Sequence, residues 1–87
     1  MYVNEDECIA ANLDPKEVER IAKGISRYAK QASALGMHIF GGGSFSGSLR
    51  VWGDGVGSLI VADLEGNFEG GDGAAQEDEN GLLRGEY

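Results

Sequence analysis

The segment from Asp14 to Gly36 constrains this chain more than any other, because it carries a start signal, a stop signal and an unbroken helical period between them. Asp14 can accept from backbone N–H groups that have no helical partner, which makes it an N-cap. Pro15 follows at the first helical position, where its missing N–H costs nothing. Glu17 stands three after Asp14, as in a capping box, and Leu13 and Val18 have the spacing of a hydrophobic staple. Val18, Ile21, Ala22, Ile25, Ala29, Ala32 and Leu35 then recur at i, i+3, i+4, i+7. Gly36 is the natural stop. The spacing predicts a helix over about 15–35, roughly 31 Å long at 1.5 Å per residue.

The rest of the chain reads as strands and turns. Met37–Phe40 is short and apolar, and Gly41–Gly47 is a glycine-rich connection. In Ser48–Trp52, Leu49 and Val51 alternate with Arg50 and Trp52, so the two pairs belong to opposite faces. Residues 53–57 have hairpin-turn chemistry, and Ser58–Leu64 is the most apolar strand and is expected at the centre of the sheet. Glu65-Gly66-Asn67 reads as another turn, with Phe68 as a possible start of a fourth strand. Cys8–Ala11 fits a short strand, a helical turn or nothing regular. The expected fold class is α+β: one long N-terminal helix packed on an antiparallel sheet of three to four strands, an α-β-β-β meander. At 87 residues one small domain is expected, with the helix at 15–35, strands over 37–68 and an acidic Gly-rich loop or tail over 69–87. Leu82-Leu83 would anchor that tail on the sheet.

Charge is the second constraint. Fifteen acids against seven Lys and Arg give −8, which disfavours direct contact with nucleic acid or anionic lipid and favours basic partners. The charge is uneven. Residues 1–14 sum to −4, residues 15–35 to +3, residues 36–64 to −1 and residues 65–87 to −6. Lys16, Arg20, Lys23, Arg27 and Lys30 share one helix face away from the apolar stripe, and Glu19 has the spacing to pair with Lys23. Glu65, Glu69, Asp72, Glu77, Asp78 and Glu79 recur over the Gly-rich C-terminal stretch. Duplex DNA carries one negative charge per ~1.7 Å, so an ordered surface with closely spaced acids can occupy a groove built for phosphates. The competing account of the same residues is a solvated acidic tail.

Catalytic and metal motifs fail. Gly41–Gly47 lacks the Gly-Lys-Ser/Thr of a phosphate loop, and neither glycine cluster has dinucleotide-binding spacing. Asp63, Glu65, Asn67 and Glu69 imitate the start of a calcium loop, but Phe68 and Ala74 stand where glycine and glutamate belong. One histidine, His38, and one cysteine, Cys8, leave no structural zinc site and no intramolecular disulfide. His38 is expected half-buried in a strand and Trp52 in the core, with an exposed aromatic at an interface as the alternative reading of Trp52, while Asp63 is placed on the Leu59–Val61 face within reach of Arg50. No catalytic residue, metal or cofactor is expected. The Asn-Glu-Asp-Glu-Cys at 4–8 is unlike a signal peptide, and the longest apolar run, Leu59–Ala62, is far short of the ~20 residues of a membrane span. A cytoplasmic protein is expected, as a monomer or weak homodimer.

In size, acidity, lack of motifs and its one-helix-plus-sheet pattern, the whole chain resembles the small phage-encoded inhibitors known as type I anti-CRISPR proteins. The resemblance lies in physique, and no residue is carried over from it. It implies a protein partner with a basic surface, such as a Cas subunit of a CRISPR effector, and inhibition by steric and electrostatic competition with target DNA in the host cytoplasm, without catalysis. The basic helix face departs from a uniformly acidic mimic and implies that one side of the molecule imitates DNA. A reading from another class is a small assembly module that homodimerises through an apolar sheet face.

Overall fold

The computed structural model describes residues 1–41, 47–53, 55, 57–70 and 73–85. The class is α+β, with one long helix, a three-stranded antiparallel sheet and a small two-stranded sheet. The elements are α1 (Glu5–Ala10), α2 (Pro15–Ala34), β1 (His38–Gly41), β2 (Gly47–Trp52), β3 (Ser58–Leu64), β4 (Gln76–Glu77) and β5 (Leu83–Arg84). They fall into two compact units. One combines Met1–Ser26 with Gly71–Tyr87, and the other is Arg27–Gly70.

The ends of α2 are set locally. The Asp14 carboxylate accepts from the Lys16 N–H at 3.0 Å, which is the predicted cap. Glu17 does not close a capping box; its carboxylate turns to Arg20 at 2.8 Å. At the other end Met37 N–H donates to Ala32 C=O and Gly36 N–H to Ser33 C=O, a Schellman motif with Gly36 at φ +78°. The acidic lead-in is α1, and it ends the same way. Leu13 N–H donates to Cys8 C=O and Asn12 N–H to Ile9 C=O, with Asn12 at φ +60°. Asn tolerates this left-handed conformation better than most side chains. Along the α2 stripe only Ala32 is buried, whereas Ile21, Ile25 and Leu35 stay more than half exposed. The stripe is less covered than its periodicity predicts.

The three-stranded sheet runs β1-β2-β3, with β2 in the centre rather than the more apolar β3. Its register pairs Ile39 with Leu49 and Leu49 with Ala62, then Val51 with Leu59. Between these pairs the register shifts, because Leu49 faces Ala62 and Arg50 faces Ile60, leaving Val61 as an extra residue. A bulge of this kind reverses the alternation of the strand that carries it. Asp63, opposite Ser48, therefore shares a face with Ile60 and not with Leu59, which corrects the placement expected from simple alternation.

Phe68 is not a strand residue. A Cβ on Gly47 would lie 2.7 Å from its ring, and one on Gly66 3.2 Å. These glycines leave the space in which the ring packs against the Gly47 end of β2, so a loop residue does the work expected of a fourth strand. The strands that the sequence did not foretell are β4 and β5, which pair Gln76 with Arg84 and Glu77 with Leu83 inside the supposed tail.

Candidate functional site

The unit formed by Met1–Ser26 and Gly71–Tyr87 holds eleven of the fifteen acids and four of the seven bases, a net −7. The unit Arg27–Gly70 is left with −1. Along the sequence the acids form two ends separated by a basic helix. The fold brings residues 1–14 and 71–87 into one unit and leaves Glu65 and Glu69 in the other.

The join is a hydrogen bond. The Leu83 N–H donates to Glu7 Oε2 at 2.6 Å, linking α1 to β5. Leu82 and Leu83 do anchor the C-terminal stretch, but against α1 rather than the large sheet, with Ala10 and Ala11 lining the same open cleft of about 370 Å³. Glu7 and Arg84 flank that cleft, yet the first is engaged by Leu83 and the second by Asp78. Neither presents an uncommitted charge to a ligand.

Asp78 organises the β4–β5 turn. Its Oδ1 accepts from Asn80 N–H at 2.8 Å and Leu82 N–H at 3.0 Å, and its Oδ2 accepts from Arg84 Nε at 2.9 Å. Its own N–H donates to Leu82 C=O, and Gly81 closes the turn at φ +77°. The side chain keeps only 14% of its surface exposed. The Arg84 guanidinium, followed by the Leu82 amide, holds this carboxyl below the usual aspartate range. Among the described candidate acids, Asp78 is thus the one whose charge is spent inside the fold. Glu77 and Glu79 on either side of it are exposed, as are Glu5 and Asp6 of α1.

The other candidates divide. Glu65 and Glu69 are exposed, but they belong to the unit Arg27–Gly70 and follow β3. Asp72 lies outside the described residues. The expected acidic row is therefore split, and residues 77–79 are the part that shares a unit with the N-terminal acids.

On α2 all five basic residues of the predicted face are exposed. Lys23 pairs with Glu19 at 2.9 Å as the spacing predicts, and that contact lowers the Glu19 carboxyl from its ordinary value. Arg27 lies 5.0 Å from the Tyr28 ring centroid. In the large sheet Arg50 does not take Asp63 as the partner foreseen for it. Its Nε donates to Ser48 Oγ at 2.9 Å, and its guanidinium stacks 3.9 Å from the Phe40 centroid. His38 is exposed rather than half-buried, and Trp52 is 70% exposed rather than in the core.

Among the described residues no group of three or more His, Cys, Asp or Glu side chains could hold a metal ion, and no helix is long and apolar enough to cross a membrane. No family model, curated protein or solved structure matches this chain. Glu7 is the site residue that sequence reading missed. Its partner lies 76 positions away, and no local pattern encodes a pairing at that distance.

Proposed function

We propose that this chain is a non-enzymatic inhibitor of the anti-CRISPR kind. Its acidic unit occupies a basic, nucleic-acid-binding surface of a partner protein, such as a CRISPR-Cas effector subunit, and competes with target DNA by charge and bulk. The observation that carries the reading is the concentration of −7 of the chain's −8 in the unit Met1–Ser26 with Gly71–Tyr87. The support is specific. A turn braced by Asp78 displays Glu77 and Glu79 as exposed carboxylates, and the Glu7–Leu83 bond ties the same hairpin to α1, which displays Glu5 and Asp6. Charges held on an ordered frame lose less conformational freedom on docking than charges on a coil. The partner would lie in the cytoplasm, where CRISPR effectors meet their DNA.

The test is a binding titration against purified effector subunits at low and high salt, with target DNA as competitor. Binding should weaken steeply with salt and be lost in the double variant Glu77→Lys, Glu79→Lys. Affinity that is indifferent to both salt and charge reversal would overturn the reading.

A further inference from the structure

Arg50 is fixed in place by its neighbours in the sheet. It stands in the central strand β2, opposite His38 of β1, and it shares a face with Ser48 and Trp52. Its Nε donates to Ser48 Oγ at 2.9 Å, and the guanidinium lies 3.9 Å from the centroid of Phe40, the residue opposite Ser48. Ser48 is only 6% exposed, so it is a firm anchor rather than a mobile surface hydroxyl. Both anchors are on the Ser48 side, so the Arg50 side chain leans along β2 away from Trp52. Among the described residues nothing else engages it, which leaves Nη1, Nη2 and the second plane of the guanidinium uncommitted.

Trp52 follows two positions later on the same face and is 70% exposed. Alternate residues of an antiparallel strand are ~6.8 Å apart. One flat ring with a van der Waals contact of ~3.5 Å on each side needs about 7 Å. Because Arg50 leans away, the interval between guanidinium and indole admits such a ring, and both groups stack on aromatic faces. The free N–H groups on Nη1 and Nη2 lie in the guanidinium plane and suit an oxyanion held by two donors. A ring stacked on that plane is parallel to it. An anion attached directly to the ring would stay in the ring's own plane and miss the fork, so the anion must hang from a saturated spacer.

A nucleoside monophosphate has these parts in order: flat base, ribose, phosphate. His38, exposed and directly across from Arg50, offers a ring N–H to the same phosphate. Asp63 is opposite Ser48, on the far side of Arg50 from Trp52, so its carboxylate does not border the slot. Charge sets the length of the ligand. A chain at −8 repels a polyanion, and one Arg with one Trp accommodates one base. We propose that this part of the sheet binds a free nucleoside monophosphate, with the base between Trp52 and Arg50 and the phosphate on Arg50 and His38. The proposal is independent of the acidic-surface reading, which uses the other unit.

Trp52 is the chain's one tryptophan, so its fluorescence reports on the slot directly. Adenosine 5′-monophosphate, added to the full chain, should quench it saturably with a Kd of about 1 mM or tighter. Adenosine without the phosphate should bind at least about tenfold more weakly, and so should the monophosphate to Arg50→Lys, which keeps the charge but loses the fork and the stacking plane. Should Arg50→Lys lose its β signal by circular dichroism, Trp52→Ala decides by calorimetry, and the heat of binding should vanish. Quenching that never saturates would overturn the proposal, as would equal binding of adenosine, undiminished binding by folded Arg50→Lys, or undiminished binding by Trp52→Ala. A single-stranded oligonucleotide that binds more tightly than the monophosphate would overturn it too. The Glu77→Lys, Glu79→Lys variant should bind the monophosphate as wild type does, so failure of the acidic-surface reading is separable from failure of this one.

Discussion

The carboxylate of Glu7 accepts a 2.6 Å hydrogen bond from the backbone N–H of Leu83, joining two residues 76 positions apart. It links an element of the N-terminal acidic stretch to one of the C-terminal acidic stretch. A charged acceptor makes such a bond stronger than a neutral one. Glu7→Ala should therefore release β5 from α1 at a cost of about 1 kcal/mol. The measurement is amide hydrogen exchange at Leu83, which should accelerate while exchange within β2 stays unchanged. Equal protection of Leu83 in wild type and variant would show that the bond does not hold the hairpin.

Asp78 makes the same hairpin sensitive to acid. Its carboxyl is lowered from 3.8 in the fold, first by the Arg84 hydrogen bond and next by the Leu82 amide. A group depressed on folding contributes stability above its unfolded value and loses it as the pH falls through the folded value. Protection of the Asn80 and Leu82 amides should thus be full at neutral pH and fall away below about pH 4. Asp78→Asn keeps an acceptor for the amides but removes the ion pair with Arg84. It should show reduced protection at neutral pH and lose the acid transition. An acid transition that persists in Asp78→Asn would assign it to another carboxylate.

Gly47 is buried, and a Cβ there would sit 2.7 Å from the Phe68 ring. Gly47→Ala should displace that ring and destabilise the unit Arg27–Gly70 by about 1–3 kcal/mol, the usual cost of overpacking. In a domain of this size each kcal/mol lowers the melting temperature by roughly 4–8 °C. Gly55, where nothing lies within 4 Å of a built Cβ, serves as the comparison. Its φ of +88° adds backbone strain but no clash. A Gly47→Ala variant as stable as wild type would mean that Phe68 does not pack against β2 in solution.

Charge reversal can be divided by unit. Replacing Glu5 and Asp6 together with Glu77 and Glu79 by lysine changes the acidic unit, while replacing Glu65 and Glu69 changes the other. The first set should abolish binding to a basic partner. The second should weaken it by less than about tenfold, an effect of long-range steering rather than contact. A titration of both sets against one partner checks this. The reverse order would move the binding surface to the end of β3.

The elements held by neighbours in the chain were legible in the sequence. Asp14, Pro15 and Gly36 bound α2 to within one residue, and the limits of β3 are those the apolar run predicts. Caps, turns and alternation are interactions between residues a few positions apart, so their signals sit within a short window. The hairpin at β4–β5 was locally encoded too, in Asp78, Gly81 and Arg84, but it carried few apolar residues and read as a tail.

What only the tertiary structure decided follows from long-range contacts. The sequence determined the number of charges and their order along the chain; the fold determined that residues 1–14 and 71–87 share one unit, where Glu7 and Leu83 meet, while Glu65 and Glu69 fall in the other. Composition placed Asp78 among six candidate contact acids, and the hydrogen bonds to Asn80, Leu82 and Arg84 turned it inward. Strict alternation put Asp63 beside Leu59, and the extra residue Val61 moved it to the other face. A one-residue shift is a property of the pairing between two strands, so neither strand displays it alone. Burial obeys the same logic. Periodicity says which side chains share a face, but whether that face is covered depends on what the rest of the fold brings against it.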